Sequence, residues 1–174
     1  MNLFALALCA AGLAGSAAAE VIDAQQGGFT VRQTLTIAAP AARAWSALIV
    51  PGTWWDPAHS YSHDGKALRL DPRPGGLWSE TLPDGGVVHM TVVYIQPRQA
   101  LRLEGALGPL QSLGVAGHLT FALTEKDDVT TLVETYDVGG HAPGGLDKLA
   151  APVDGVLAAQ MQRLKRAVET GKPN

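Results

Sequence analysis

The sequence predicts an α+β fold in which a curved antiparallel sheet of about six to seven strands wraps around one long C-terminal helix. Two patterns support this prediction. In residues 144–170, apolar side chains recur at three- and four-residue steps, as on a helix with one buried face. Residues 29–136 instead read as short alternating segments separated by turns. A curved sheet would cover the apolar helix face and leave a cavity where sheet and helix diverge.

The composition is that of one compact domain, which we place at residues 28–170 with a short tail at 171–174. Of the 174 residues, 47% are hydrophobic and 17% are charged, which suits a domain with a substantial core. The net charge is −3, and the 13 basic residues are scattered along the chain. Without a dense basic patch, nucleic acid is not expected as a partner. Nothing in the sequence indicates an oligomeric state.

The first 19 residues have the features of a secretory signal peptide. They are apolar and end in Ala17-Ala18-Ala19, a small-residue cleavage site before Glu20. We expect cleavage near Ala19, a short linker at residues 20–27, and a secreted or periplasmic protein without a membrane span. A retained anchor is the alternative, but a span needs about 20 strongly apolar residues. Cys9 is the only cysteine, so cleavage would leave no thiol for disulfides or metal ligation.

The elements follow in order from these patterns. Residues 29–37 alternate as a first strand, and Pro40 opens a helix that ends at Pro51-Gly52. Turns rich in Gly, Pro and Asp then separate the remaining strands. These strands are expected at residues 67–70, 77–82, 87–95, 100–107, 118–123 and 130–138. The stripe of the final helix consists of Leu146, Leu149, Val153, Val156, Leu157, Met161, Leu164 and Val168.

This order of elements resembles the helix-grip, or START-like, fold. Several landmarks are similar to the SRPBCC superfamily, in the branch of polyketide cyclases and homologues of the activator of heat-shock-90 ATPase. They are Ala39-Pro40 with Trp45, Trp54-Trp55, Arg73-Pro74-Gly75-Gly76 before a strand aromatic, Asp84-Gly85, and Ile95-Gln96-Pro97 with Leu101. The resemblance implies a ligand cavity between sheet and helix. The final helix departs from it, because Gln160-Met161 stands where many members have a tryptophan; Met161 is therefore a candidate ligand contact.

Aromatic side chains are the candidate cavity walls. Trp54, Trp55, Tyr61 and Trp78 are large, flat groups of the kind that line apolar ligand sites, and each keeps a polar atom that can orient a ligand. Ordinary core packing is the alternative for each. Because Trp54 and Trp55 are adjacent, at most one is expected to point into the cavity.

Two carboxylates are the candidate catalytic groups. Glu80 shares a strand face with Trp78, and Glu134 shares one with Leu132 and Tyr136. Burial near a cavity would raise the pKa of a carboxyl, so the pair could act as acid and base, with Glu80, Glu134 and Tyr136 also able to anchor a ligand. The alternative is that the carboxylates face solvent or pair with arginines.

The five histidines do not indicate a metal site. Only His59 and His63 are four residues apart, and they lie in a proline-containing segment where a helical register is not assured. We expect neither metal nor cofactor. The facing of His89 stays open, because the even residues of its strand are the more apolar set, whereas the family's turn spacing favours the odd set.

Three functions remain. The first is an exported protein that binds an apolar or aromatic small molecule in the cavity. The second is an enzyme of the polyketide cyclase or hydratase type that uses the same cavity. The enzyme differs from the binding protein in that its ionisable groups must converge within about 3 Å of one point in the cavity. The third is a protein-interaction domain analogous to the chaperone activator, which export disfavours.

Overall fold

The computed structural model describes residues 18–174, in which eight strands form one curved antiparallel sheet and two helices flank it. The strands are β1 (Ala18–Gln25), β2 (Gly28–Ile37), β3 (Leu68–Leu70), β4 (Leu77–Leu82), β5 (Gly85–Gln96), β6 (Ala100–Gly105), β7 (Gly114–Lys126) and β8 (Val129–His141). The helices are α1 (Ala41–Leu48) and α2 (Asp147–Thr170). The sheet order is β1-β2-β8-β7-β6-β5-β4-β3. Short 3₁₀ turns occupy Pro51–Thr53, Pro57–His59, Gly65–Ala67 and Gly108–Ser112. The helix-grip architecture is confirmed.

The predicted strand count was slightly too low, and the segment predicted as a linker at residues 20–27 is mostly strand β1. Residues 20–25 lie on the exposed edge of the sheet, and their backbone pairs with β2, with Glu20 opposite Arg32. An edge strand held by backbone hydrogen bonds needs no alternation of apolar and polar residues, so the sequence pattern did not reveal it. Residues 1–17 of the predicted signal peptide lie outside the described residues.

The two halves of α2 meet the sheet differently. In the C-terminal half, Met161, Leu164 and Val168 are buried in the core, where β2 contributes an alternating set of inward side chains. In the N-terminal half, Leu149 and Val153 are only partly buried. The predicted stripe therefore serves two purposes: its residues from Leu149 to Leu157 line a cavity, whereas Leu146 and the C-terminal residues pack in the core.

The chain beyond α2 turns back onto the helix. Gly171 adopts the left-handed conformation, with φ of 79°, that commonly ends a helix. The predicted tail then returns along the last turns, where Nε of Arg166 donates to the Pro173 carbonyl at 2.9 Å. Within residues 18–174, none of the helices is long and apolar enough to cross a bilayer.

Candidate functional site

A cavity of about 500 Å³ lies between the sheet and the N-terminal half of α2. Four parts of the chain line it: the segment 55–61 after α1, strands β3 to β5, the segment 107–110 after β6, and residues 149–157 of α2. The α2 wall is apolar, with Leu149, Pro152, Val153, Val156 and Leu157. The structure thus places a mostly apolar cavity where the sheet and the helix diverge.

Aromatic rings form the wall opposite α2. Trp55 and Trp78 both line the cavity, and their rings pack edge to face with centroids 5.0 Å apart. Nε1 of Trp55 donates to the His59 carbonyl at 3.0 Å, which holds that indole in place. Trp54 is also buried, but it packs in the core and donates to the Ala47 carbonyl. Of the adjacent tryptophans, only Trp55 lines this cavity.

Trp78 carries a polar atom that the protein leaves unpaired. The side chain is 3% exposed, and its buried Nε1–H has no hydrogen-bond partner within residues 18–174. An unpaired buried donor is costly, so most such groups in proteins find a partner. This donor belongs to a residue of the cavity wall.

Tyr61 joins two sides of the cavity. Its hydroxyl donates to the Gly108 carbonyl at 3.0 Å, linking the segment after α1 to the segment after β6. Its ring centroid lies 6.0 Å from that of His89, and 47% of the side chain is exposed. Tyr61 therefore lies at the boundary between the cavity and solvent.

The carboxylate of Glu80 lies behind the cavity wall and is held by three donors. It is on the inner face of β4 with Trp78, and it is not a lining residue. Oε2 accepts the backbone N–H of Tyr61 at 3.1 Å, and Oε1 accepts that of Ser62. Oε2 also lies 3.0 Å from Nε2 of His89. Burial raises the pKa of Glu80, but these hydrogen bonds together outweigh it and leave the pKa below its ordinary value, so the group is a carboxylate at neutral pH.

His89, rather than Glu80, presents a polar group to the cavity. The imidazole is 7% exposed and lines the cavity next to Trp78, with ring centroids 5.8 Å apart. Burial lowers the pKa of His89, although its hydrogen bond to Glu80 and the charge of that carboxylate act in the opposite direction. The imidazole is therefore neutral near neutral pH. Sequence analysis left its facing open and did not include it among the site residues.

A β-bulge explains why alternation could not place His89. Trp78 pairs with Met90 while the next residue, Ser79, pairs with Val88, so β5 contains one extra residue at this point. The extra residue is His89, and both it and Met90 are buried. Bulges redirect side chains in this way and break the two-residue period. Both orientations of His89 that the sequence allowed assumed that β5 is a regular strand without a bulge.

Glu134 and Tyr136 lie on the inner face of β8 but do not line the cavity. The Tyr136 hydroxyl accepts the backbone N–H of Leu107 at 3.1 Å and lies 3.3 Å from the Gly105 carbonyl, to which it donates. Burial raises the pKa of Tyr136 to about 12, despite the opposing hydrogen bond from Leu107. Tyr136 thus braces the segment that forms one cavity wall.

The carboxyl of Glu134 is fully enclosed, and neither oxygen has a partner within residues 18–174. Gln33 lies opposite it on β2, and Nε2 of Gln33 donates to Asp154 of α2. Burial raises the pKa of Glu134 well above its ordinary value, and the charge of Asp154 raises it further. The two candidate carboxylates therefore occupy different surroundings, and only Glu80 is linked to the cavity, through His89.

Met161 is fully buried in the core and does not line the cavity, and neither does its buried neighbour Gln160, which contacts the lining residue His59. Oε1 of Gln160 accepts the backbone N–H of Asp56 at 2.8 Å, and its Nε2 lies 2.8 Å from Nδ1 of His59. His59 lines the cavity and is exposed. Within residues 18–174, no three His, Cys, Asp or Glu side chains cluster as metal ligands.

Comparison with known proteins agrees with this architecture. The family model "Polyketide cyclase / dehydrase and lipid transport" matches residues 28–169. No curated protein sequence matches the chain. The solved structure of the conserved protein EF2215 from Enterococcus faecalis is similar, with 16% identity over 89% of this chain and 78% of that chain, and a TM-score of 0.61.

Two further solved structures are similar. CalU16 from Micromonospora echinospora has 13% identity over 92% of this chain and 88% of that chain, with a TM-score of 0.57. The Aha1 dimer from Colwellia psychrerythraea has 18% identity over 82% of this chain and 98% of that chain, with a TM-score of 0.56. At these identities the likeness shows the fold alone. The family match spans most of the sequence, and the chain therefore belongs to the polyketide cyclase/dehydrase and lipid transport family, within the START-like SRPBCC superfamily.

Proposed function

We propose that the protein binds a mostly apolar, ring-containing small molecule in the cavity between the sheet and α2. The observation that carries the proposal is the composition of the cavity wall. Aliphatic side chains of α2 face the indoles of Trp55 and Trp78, and one buried polar group, His89, interrupts this surface. Small-molecule sites combine apolar walls with a few polar groups in this way, in cavities of about 300–1,000 Å³.

A fluorescent probe titration tests the proposal. N-Phenyl-1-naphthylamine is neutral and apolar, and its emission rises when it leaves water. We expect saturable binding to wild type, accompanied by a change in tryptophan emission because two indoles line the cavity. Trp78→Ala removes one wall, and Glu80→Gln removes the charge that holds His89, so both should weaken binding.

Leu77→Ala is the matched control for these variants. Leu77 precedes Trp78 on β4, but its side chain is 41% exposed on the other face of the sheet. This variant should bind the probe as wild type does. Failure of wild type to bind, or unchanged binding by folded Trp78→Ala and Glu80→Gln, would show that the site is not in this cavity.

The second candidate function is catalysis of proton transfer on a carbonyl compound in the same cavity. The pairing of His89 with Glu80 favours it, because a neutral imidazole held by a carboxylate can act as a general base. Glu134 takes no part in this version, since it does not line the cavity. The test is deuterium exchange at the α-carbon of 1-tetralone in D₂O. Exchange above the rate of His89→Gln supports catalysis, and equal rates leave binding as the function.

We further propose that the protein is exported and that its mature chain starts at or close to Glu20. Cleavage there would leave residues 20–25 to form the edge strand. Intact-mass analysis of protein recovered from its own host tests this start. A species that retains residues 1–19 in the membrane fraction would contradict it.

A further inference from the structure

Two histidines that line the cavity form hydrogen bonds through different ring nitrogens, His89 through Nε2 and His59 through Nδ1. For His89, the partner of Nε2 decides which ring nitrogen carries the proton. Oε2 of Glu80 belongs to a carboxylate and already accepts the backbone N–H of Tyr61, so it can only accept from Nε2. Nε2 is therefore protonated, and Nδ1 of the neutral ring carries a lone pair. No group within residues 18–174 hydrogen-bonds to that Nδ1, so the cavity wall contains a free acceptor.

In His59 the ring nitrogen without a hydrogen-bond partner within residues 18–174 is Nε2, whereas in His89 it is Nδ1. The backbone N–H of Asp56 donates to one end of the Gln160 amide, so that end is the oxygen and the other end is the NH₂ group. The NH₂ group lies 2.8 Å from Nδ1 of His59, and Nδ1 must therefore accept. With Nδ1 as an acceptor, the ring proton of His59 is on Nε2, which has no hydrogen-bond partner within residues 18–174. His59 contributes a free donor where His89 contributes a free acceptor.

We propose that these two histidines determine the polarity of the ligand and its orientation in the cavity. His89, which is buried, accepts a hydrogen bond from a hydroxyl of the ligand, and His59, which is exposed at the rim, donates one to a carbonyl or ether oxygen. Glu80 and Gln160 are positioning residues that set the two tautomers. The ligand class is a neutral ring compound with a hydroxyl at its buried end and an acceptor at its outer end. This inference rests on the proposed binding function and deepens it.

Three naphthalene probes of similar shape separate the two hydrogen bonds. The first, 6-acetyl-2-naphthol, carries both groups; its methyl ether lacks the hydroxyl proton; and 6-ethyl-2-naphthol lacks the carbonyl. We expect wild type to bind the first about tenfold more tightly than each of the others, the effect of losing one hydrogen bond in a buried site.

Two variants assign each preference to its histidine. His89→Phe keeps a ring but removes the acceptor, so it should lose the preference for the free hydroxyl and keep the preference for the carbonyl. His59→Phe likewise keeps a ring but removes the donor, so it should lose the carbonyl preference and keep the hydroxyl preference. It changes no tryptophan and no aliphatic wall residue.

The tautomers can also be read directly, without any variant. Long-range ¹H–¹⁵N correlation spectra of the wild-type imidazoles should show the Nε2–H tautomer for both histidines. An Nδ1–H tautomer at either residue, or equal affinity for the three probes, overturns the inference while the binding function stands. If neither these probes nor N-phenyl-1-naphthylamine bind wild type, the proposed function itself fails, and the inference fails with it.

Discussion

Replacing Glu134 with glutamine should stabilise the protein increasingly as the pH rises. The side chain is 1% exposed, its two oxygens lack partners within residues 18–174, and Oε1 of Gln33 on the opposing strand lacks one too. A protonated Glu134 explains this burial without a positively charged partner, and its O–H adds a donor to a group of buried acceptors. Glutamine reproduces this neutral group, with a donor and an acceptor, but it cannot ionise.

The size of this difference in stability follows from the raised pKa of Glu134. In the unfolded chain the carboxyl ionises near its ordinary pKa, whereas in the folded chain burial and the charge of Asp154 keep the proton bound to higher pH. Between these two pKa values the folded state holds more protons, so wild-type stability falls by up to about 1.4 kcal/mol per pH unit. Below the unfolded pKa both states are protonated, and Glu134→Gln and wild type should be nearly equal in stability. Above it their difference should grow, and then level off beyond the folded pKa.

Urea unfolding followed by tryptophan fluorescence at several pH values between about 4 and 8 measures this difference. Glu104→Gln is the matched control, because Glu104 is exposed on β6 and the substitution changes the same atoms. The control curve should run parallel to wild type. A Glu134→Gln curve that also runs parallel to wild type, or that falls below it at high pH, would refute the assignment of a neutral buried acid.

Three further predictions concern packing and processing. Leu164→Ala should cost about 2–5 kcal/mol of unfolding free energy, because Leu164 is 1% exposed in the core; a loss below about 0.5 kcal/mol in urea unfolding would mean that the sheet does not grip α2. Tyr136→Phe should cost about 1–3 kcal/mol, because the Leu107 N–H loses its acceptor, and should weaken probe binding, since Leu107 lines the cavity; unchanged stability and affinity would contradict this bracing role. Intact mass of the exported protein should place the first residue at or near Glu20, and a retained Met1 would exclude cleavage.

Sequence periodicity predicted those parts of the fold in which burial follows a regular repeat. The alternation of β2 and the C-terminal half of the α2 stripe are such parts, and both are buried as expected. The edge strand was missed because residues 20–25 are exposed and bury no stripe. That Trp78 and Glu80 share one face of their strand was also predicted, since the extra residue of the bulge is in β5 and β4 keeps its alternation.

The candidate site was harder to predict, because it depends on departures from regularity. His89 lines the cavity because β5 contains one extra residue, and the sequence of that strand has no pattern that predicts this bulge. Glu134 shares its strand face with Leu132 and Tyr136 as predicted, but it is enclosed away from the cavity, because position along a strand decides which part of the interior a side chain meets. The role of Gln160 requires contacts between α2 and residues about a hundred positions earlier.

Native mass spectrometry of the protein purified from its own host tests the central claim of a ligand cavity most directly. The account predicts a wild-type species carrying one small molecule, which denaturation releases. Val156→Trp should abolish this species, because the indole would fill the cavity that Val156 lines, whereas Ala159→Trp on the exposed face of α2 should retain it. A wild-type protein free of any bound molecule, or a folded Val156→Trp variant that carries as much of it as wild type, would contradict the account.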